Sequence, residues 1–141
     1  MNNNKENYTD QKPPLANGDL GAPPLGGRGA VSRSNPLSQY TWGDGCYGWN
    51  LVDTDELSIK QELMPPDTAE QLHYHERASQ FFFILSGKAT FTIEGVEHIL
   101  KPNEGIEIKP GLKHFITNKN DTDLEFILYS QPSTKNDRKT V

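Results

Sequence analysis

Between residues 57 and 130 the chain never sustains a 3.6-residue apolar period over ten positions. It breaks instead into short runs rich in Ile, Val, Thr and Phe, each closed by turn residues. A buried helix stripe needs the longer period, whereas short β-rich runs between Gly, Pro, Asn and Asp read as strands. The runs cover 57–63, 71–75, 80–86, 88–93, 96–100, 105–108, 114–118 and 124–130. Glu94-Gly95 has the composition of a tight hairpin turn, and Ser86-Gly87 and Pro110-Gly111 interrupt the runs beside them. Such strands predict an all-β sandwich or small barrel. Phe81, Phe82, Phe83, Ile84 and Leu85 are apolar at every position. A strand of that kind is covered on both faces, by the barrel interior and by a second sheet or subunit, so a homodimer is expected.

The flanks have another texture. Residues 1–40 are rich in Asn, Gly, Pro and Ser, with breakers at Pro13-Pro14, Pro23-Pro24 and Gly26-Gly27, and their leucines show no period. A segment of this kind cannot bury enough apolar surface to offset its ordering entropy and is expected to be disordered. Residues 41–131 are then the folded domain, preceded by an aromatic arm from Trp42 to Trp49, and 132–141 a polar C-terminal tail that could lie across its surface. A chain of 141 residues leaves room for one domain. The longest apolar run, Phe81 to Leu85, falls far short of the ~20 residues of a membrane helix, so no membrane association is expected. The Asn-rich N-terminus has no secretory or transit pattern and Cys46 is the only cysteine, which together suggest a cytoplasmic protein. Nineteen acidic against fourteen basic residues give a net charge of −5, and the scattered basic residues argue against nucleic acid as a partner.

Chemistry concentrates on histidine. His73 and His75 stand two apart in an extended segment, so both imidazoles leave the same face and can share one metal ion. Alone, that spacing is equally that of a solvent-facing strand. Gln80 has the parity of Phe82 and Ile84 and turns inward with them, where a buried amide requires a partner: a cation, the backbone or water. His114 follows the Pro110-Gly111 turn with Ile116 on its face, giving a third imidazole a route to the same cavity. His73, His75, Gln80 and His114 make four candidate metal ligands.

At these residues the sequence resembles the cupin superfamily, in its small single-domain form. Its first motif has two histidines one residue apart, an acidic residue after three or four more, and a glycine after six; His73-Tyr74-His75, Gln80 and Gly87 match that spacing. Its second motif has a proline–glycine turn, a histidine and an asparagine, matched by Pro110-Gly111, His114 and Asn118. Three loop positions depart: an expected glycine falls on Asp67, the Pro110-Gly111 turn lacks an inserted residue, and Gly105 lies one place off register. The resemblance implies a double-stranded β-helix, or jelly-roll barrel, holding one divalent transition metal ion (Fe, Zn, Ni, Cu or Mn). It also implies a small-molecule ligand and a choice between a metal-dependent enzyme of dioxygenase, isomerase or lyase type acting on a small oxygen-rich or carboxylated molecule and a non-catalytic module that binds or senses a sugar or organic acid. Fold does not choose among them.

The glutamine is the informative departure. Three neutral imidazoles and an amide leave a divalent ion its full +2 charge, which disfavours hard cations, favours imidazole-preferring metals and suits an anionic ligand. Glu76 lies on the opposite strand face and Gln71 on the ligand face, where a strand-edge role competes with a reach into the cavity. His98 has no partner at ligand spacing, and Cys46 is expected as a small buried hydrophobe. Trp42 and Trp49 either close the barrel mouth or clamp the arm to the sheet. Glu62, Glu107 and Tyr129 are the acid–base candidates, each also explicable as a surface residue.

Overall fold

The computed structural model describes residues 29–141 together with a short strand at Asn7–Thr9. Among the described residues there is no helix. The strands are β1 (Asn7–Thr9), β2 (Ser38–Trp42), β3 (Cys46–Asp53), β4 (Ser58–Met64), β5 (Thr68–Ala69), β6 (His73–His75) and β7 (Ser79–Ser86), then β8 (Ala89–Ile93), β9 (Val96–Leu100), β10 (Gly105–Ile108), β11 (His114–Asn118), β12 (Leu124–Gln131) and β13 (Arg138–Thr140). One antiparallel sheet runs β1-β2-β3-β4-β12-β7-β10; the other runs β13-β6-β11-β8-β9, with β5 added to β11. This is the jelly-roll arrangement that the sequence predicts, and each of the eight expected runs coincides with a strand to within two residues at either end.

Period-2 alternation fixes which face each strand turns inward. Along β7, Gln80, Phe82 and Ile84 are buried while Phe81 and Leu85 are about 41% and 40% exposed. In the single chain, therefore, this strand is covered on one face, and the outer face expected to be covered is half open. Phe82 packs its ring on Phe91 and Phe126, with centroids 4.8 and 5.6 Å apart, and Met64, Ile84, Ile116 and Leu124 complete an apolar end of the barrel. Each such side chain contributes about 1.5–3 kcal/mol by leaving water.

Two loops show why the family spacing holds. Gly87 has φ 82°, and a Cβ there would stand 2.4 Å from the Asp123 carbonyl oxygen, so a side chain is excluded by both backbone and space. Asp67, where the family pattern has glycine, adopts φ 62°, the left-handed conformation that Asp tolerates better than most residues. The Glu94-Gly95 turn has φ 49° and 80° and joins β8 to β9 through the Ile93–Val96 pair, a two-residue hairpin as expected.

The folded part begins earlier and ends later than residues 41–131. β2 starts at Ser38, β1 pairs with it through Tyr8 and Tyr40, and Arg33 lies 4.6 Å from the Trp49 ring centroid. The remainder of the expected disordered segment, residues 1–6 and 10–28, lies outside the described residues. At the other end the polar tail supplies β13, which pairs with the strand of His73 and His75: Arg138 opposite His75, Thr140 opposite His73.

Candidate metal centre

β6 and β11 are neighbours in the second sheet, with His114 directly opposite His73. The Pro110-Gly111 turn is tied down where it enters β11, the Gly111 N–H donating to the His75 carbonyl at 2.7 Å. His73, His75 and His114 are 2%, 4% and 1% exposed, and their candidate ligand atoms all lie within 4.8 Å of one another. Donors sharing one ion at about 2.1 Å stand at most about 4.2 Å apart, so a small side-chain adjustment brings the three onto one metal.

The protonation of two rings follows from their neighbours. His73 Nδ1 lies 2.8 Å from the Gln71 carbonyl oxygen, and His114 Nδ1 lies 2.8 Å from the Leu112 carbonyl oxygen. A carbonyl only accepts, so each Nδ1 donates to it and Nε2 is the ring atom left to a metal. His114 Nε2 and both nitrogens of His75 are buried without a hydrogen-bond partner among the described residues. Burial, then the Arg138 charge and the neighbouring His114, lowers His73 to about 3. Burial, then His73 and His114, lowers His75 to about 3 as well. Both are held as neutral imidazoles at physiological pH, the form that binds metal.

Gln80 comes from the opposite sheet. It is 4% exposed, its Nε2 donates to Ser130 Oγ at 3.1 Å, and its Oε1 is buried without a hydrogen-bond partner. A buried amide oxygen and buried ring nitrogens without partners are costly, and a cation would satisfy them, so the donor set fits a metal ion. His73, His75 and Gln80 open onto a cavity of about 640 Å³. Its walls include Trp42, Lys60, Glu62, Glu70 and Phe82 from the strands, and Ser133 to Asn136 with Arg138 from the C-terminal segment.

The other sequence candidates separate clearly. Glu62 is buried in the cavity wall, whereas Glu107 is exposed beside Lys109, and the Tyr129 hydroxyl donates to Gln131 Oε1 on the outer face. Glu76 is exposed and paired with Lys139, and Gln71 serves the site through its carbonyl. His98 is exposed on β9. Cys46 packs in the apolar core as expected, and burial pushes its thiol up to about 11. Trp42 lines the cavity; Trp49 packs on Tyr47 and beneath Arg33.

Sequence reasoning missed Lys60, Arg138 and Asp137. Lys60 was legible in the alternation Ser58-x-Lys60-x-Glu62-x-Met64, which places two charged residues on the face of a core methionine. Asp137 had no such signal. Its carboxylate is 2% exposed and accepts from the backbone N–H groups of Glu76, Arg77 and Ala78, at 3.1, 3.1 and 2.9 Å. It fastens the C-terminal segment to the loop that leaves His75.

The family model for the cupin domain matches residues 60–129. An oxalate-binding protein of Thermotoga maritima is 33% identical over 102 residues, which make up 72% of this chain and 76% of that protein. Mannose-1-phosphate guanylyltransferase of Salmonella montevideo is 39% identical over 85 residues, 56% of this chain but 18% of its own length. In structure, an RmlC-like cupin from Shewanella frigidimarina superposes with a TM-score of 0.61 at 20% identity, over 67% of this chain and 82% of that one. With the barrel, the paired motifs and the histidine cluster in register, the chain belongs to the cupin family.

Proposed function

We propose that the protein is a metal-dependent cupin enzyme acting on a small oxygen-rich or carboxylated molecule, with one divalent transition metal held by His73, His75, His114 and Gln80. The observation that carries this reading is the Gln80 Oε1 atom, buried without a hydrogen-bond partner and facing the same cavity as His73 and His75. A bound divalent ion supplies Lewis acidity, and an uncharged ligand set leaves its positive charge uncompensated for an anionic substrate. The chain's own residues exclude water and orient the ligand: Trp42 and Phe82 form apolar wall, and Lys60 and Arg138 bring cationic groups to it.

The test loads metal-free protein with Fe, Mn, Ni, Cu or Zn, measures metal per chain, and follows oxygen consumption and product formation over 2-oxo acids, dicarboxylates and sugar phosphates. One ion per chain with turnover of a carboxylated compound supports the enzyme. Metal binding without turnover, alongside saturable binding of oxalate, supports a second reading, a non-catalytic binding module, which the likeness to an oxalate-binding protein favours. No metal in the wild-type chain overturns the metal-dependent enzyme, and absence of saturable oxalate binding as well overturns the second reading.

Two further assignments belong to this proposal. The half-open outer face of β7, with Phe81 stacked on Phe83, is covered by a second copy of the chain, and Phe81→Lys/Leu85→Lys turns a dimer into a monomer in sedimentation. A dimeric mass retained by that variant contradicts the assignment. The working compartment is the cytoplasm, where the single cysteine stays a thiol.

A further inference from the structure

The first sheet carries a second polar centre on its inner face. Tyr40, Gly48 and Glu62 lie in one cross-strand row over β2, β3 and β4, with Lys60 one inward position away along β4. The Tyr40 ring occupies the space above Gly48: a Cβ there would stand 2.1 Å from the ring Cζ and 2.4 Å from the hydroxyl oxygen. Seated so, Tyr40 is fully buried and its hydroxyl donates to Glu62 Oε2 in a short hydrogen bond. Lys60 Nζ lies 5.2 Å from the centroid of the same ring. Glu62 and Lys60 are 5% and 7% exposed, and both line the cavity shared with His73, His75 and Gln80.

Burying a carboxylate and an ammonium in a barrel that also holds Phe82 and Leu128 costs stability, and apolar residues of similar volume would fill the same space at lower cost. Charged groups kept in a cavity at such cost mark a functional site. Their hydrogen-bonding capacity says what they recognise. A carboxylate has acceptor sites and no donor, so toward the cavity Glu62 can only accept. It attracts a hydroxyl and repels a second carboxylate. The ammonium of Lys60 only donates, and suits a neighbouring hydroxyl oxygen or acid group.

We propose that Glu62 and Lys60 are a hydroxyl-recognition site facing the histidine triad, with Tyr40 as the residue that positions Glu62, and that the substrate is therefore a hydroxylated carboxylic acid and not a bare acid. This rests on the reading of the cavity as a metal-dependent carboxylate site. A site built to hydrogen-bond a ligand hydroxyl discriminates strongly against the analogue that lacks it.

The test is calorimetric binding of D-glucarate and of adipate, two six-carbon diacids of equal charge that differ by their hydroxyl groups, to the zinc-loaded full chain. The wild type is expected to prefer glucarate by at least about tenfold. Glu62→Met, which keeps the volume and removes the acceptors, is expected to bring the ratio to within about twofold of unity while zinc stays at one ion per chain. Tyr40→Phe, which keeps the ring, is expected to reduce the ratio several-fold and serves if Glu62→Met fails to fold. A wild-type ratio near one overturns the proposal. So does a ratio that survives Glu62→Met, which would place the preference in chelation by the metal. If neither acid binds the zinc-loaded chain, the carboxylate reading itself fails, and this one with it.

Discussion

Asp137→Ala tests whether ten residues that look like a tail are part of the site. The carboxylate takes three backbone N–H groups at once, in a place almost closed to water, and also lies 3.7 Å from Arg77 Nε. A hydrogen bond to a charged group is worth ~1.5–3 kcal/mol, and the three share one acceptor, so their sum is less than additive. Removal of the acceptor also leaves buried donors unmatched. The expected loss is about 3–5 kcal/mol, which lowers Tm by about 10–20 °C in a domain of this size. Burial would raise the Asp137 pKa, but the N–H groups of Ala78, Arg77 and Glu76 outweigh it and hold it below its usual 3.8. A carboxyl depressed in the fold contributes stability that is present above the unfolded pKa and lost as pH falls through the folded value. The gap between wild type and Asp137→Ala, followed by urea denaturation with circular dichroism, should therefore be full at pH 7 and narrow below about pH 4. Zinc affinity should fall as well, because β13 and the Asp137 latch hold the strand and loop on either side of His75. A variant within about 1 kcal/mol of wild type at pH 7, or a gap that ignores pH, would refute the reasoning.

Three other outcomes follow from the same geometry. Gln80→Glu adds a negative charge to the donor set, so competition between manganese and zinc should move at least about tenfold toward manganese; an unmoved ratio would mean Gln80 is not a ligand. In the metal-free protein, His73 and His75 are neutral in the fold and protonate in the unfolded chain below about 6.5, so urea stability should fall as pH drops from 6.5 toward 3, and a flat profile would contradict their burial. Gly87→Ala should cost about 2–4 kcal/mol because its Cβ meets the Asp123 carbonyl, whereas Gly111→Ala, at φ 84° with no atom within 4 Å, should cost about 1 kcal/mol, and equal losses in thermal melts would refute the distinction.

The sequence-based reading succeeded where one physical rule acts alone. Alternation along residues 80–86 placed Gln80 inward with Phe82 and Ile84, and the Glu94-Gly95 turn set the β8–β9 register, because both are local consequences of backbone geometry. It stopped short where long-range pairing decides. β2 and β3 contain Gly48, Asn50 and Ser38 at inward positions, which erases the apolar alternation, and the glycine is there to make room for a tyrosine on the next strand. The C-terminal segment has no apolar signal at all; its place is fixed by Asp137 capturing three N–H groups about sixty residues away in the chain. His73 and His75 were legible as a pair because their spacing is short. Glu62 and Lys60 share one face of β4 by alternation alone, whereas the contact of Glu62 with Tyr40 depends on strand order.

The metal centre is tested most directly by an anomalous-scattering map of zinc-soaked crystals, recorded above and below the zinc edge. One peak per chain is expected, at about 2.0–2.2 Å from an imidazole nitrogen of each of His73, His75 and His114 and from Gln80 Oε1. A chain with no peak there, or with its zinc held by other residues, would contradict it.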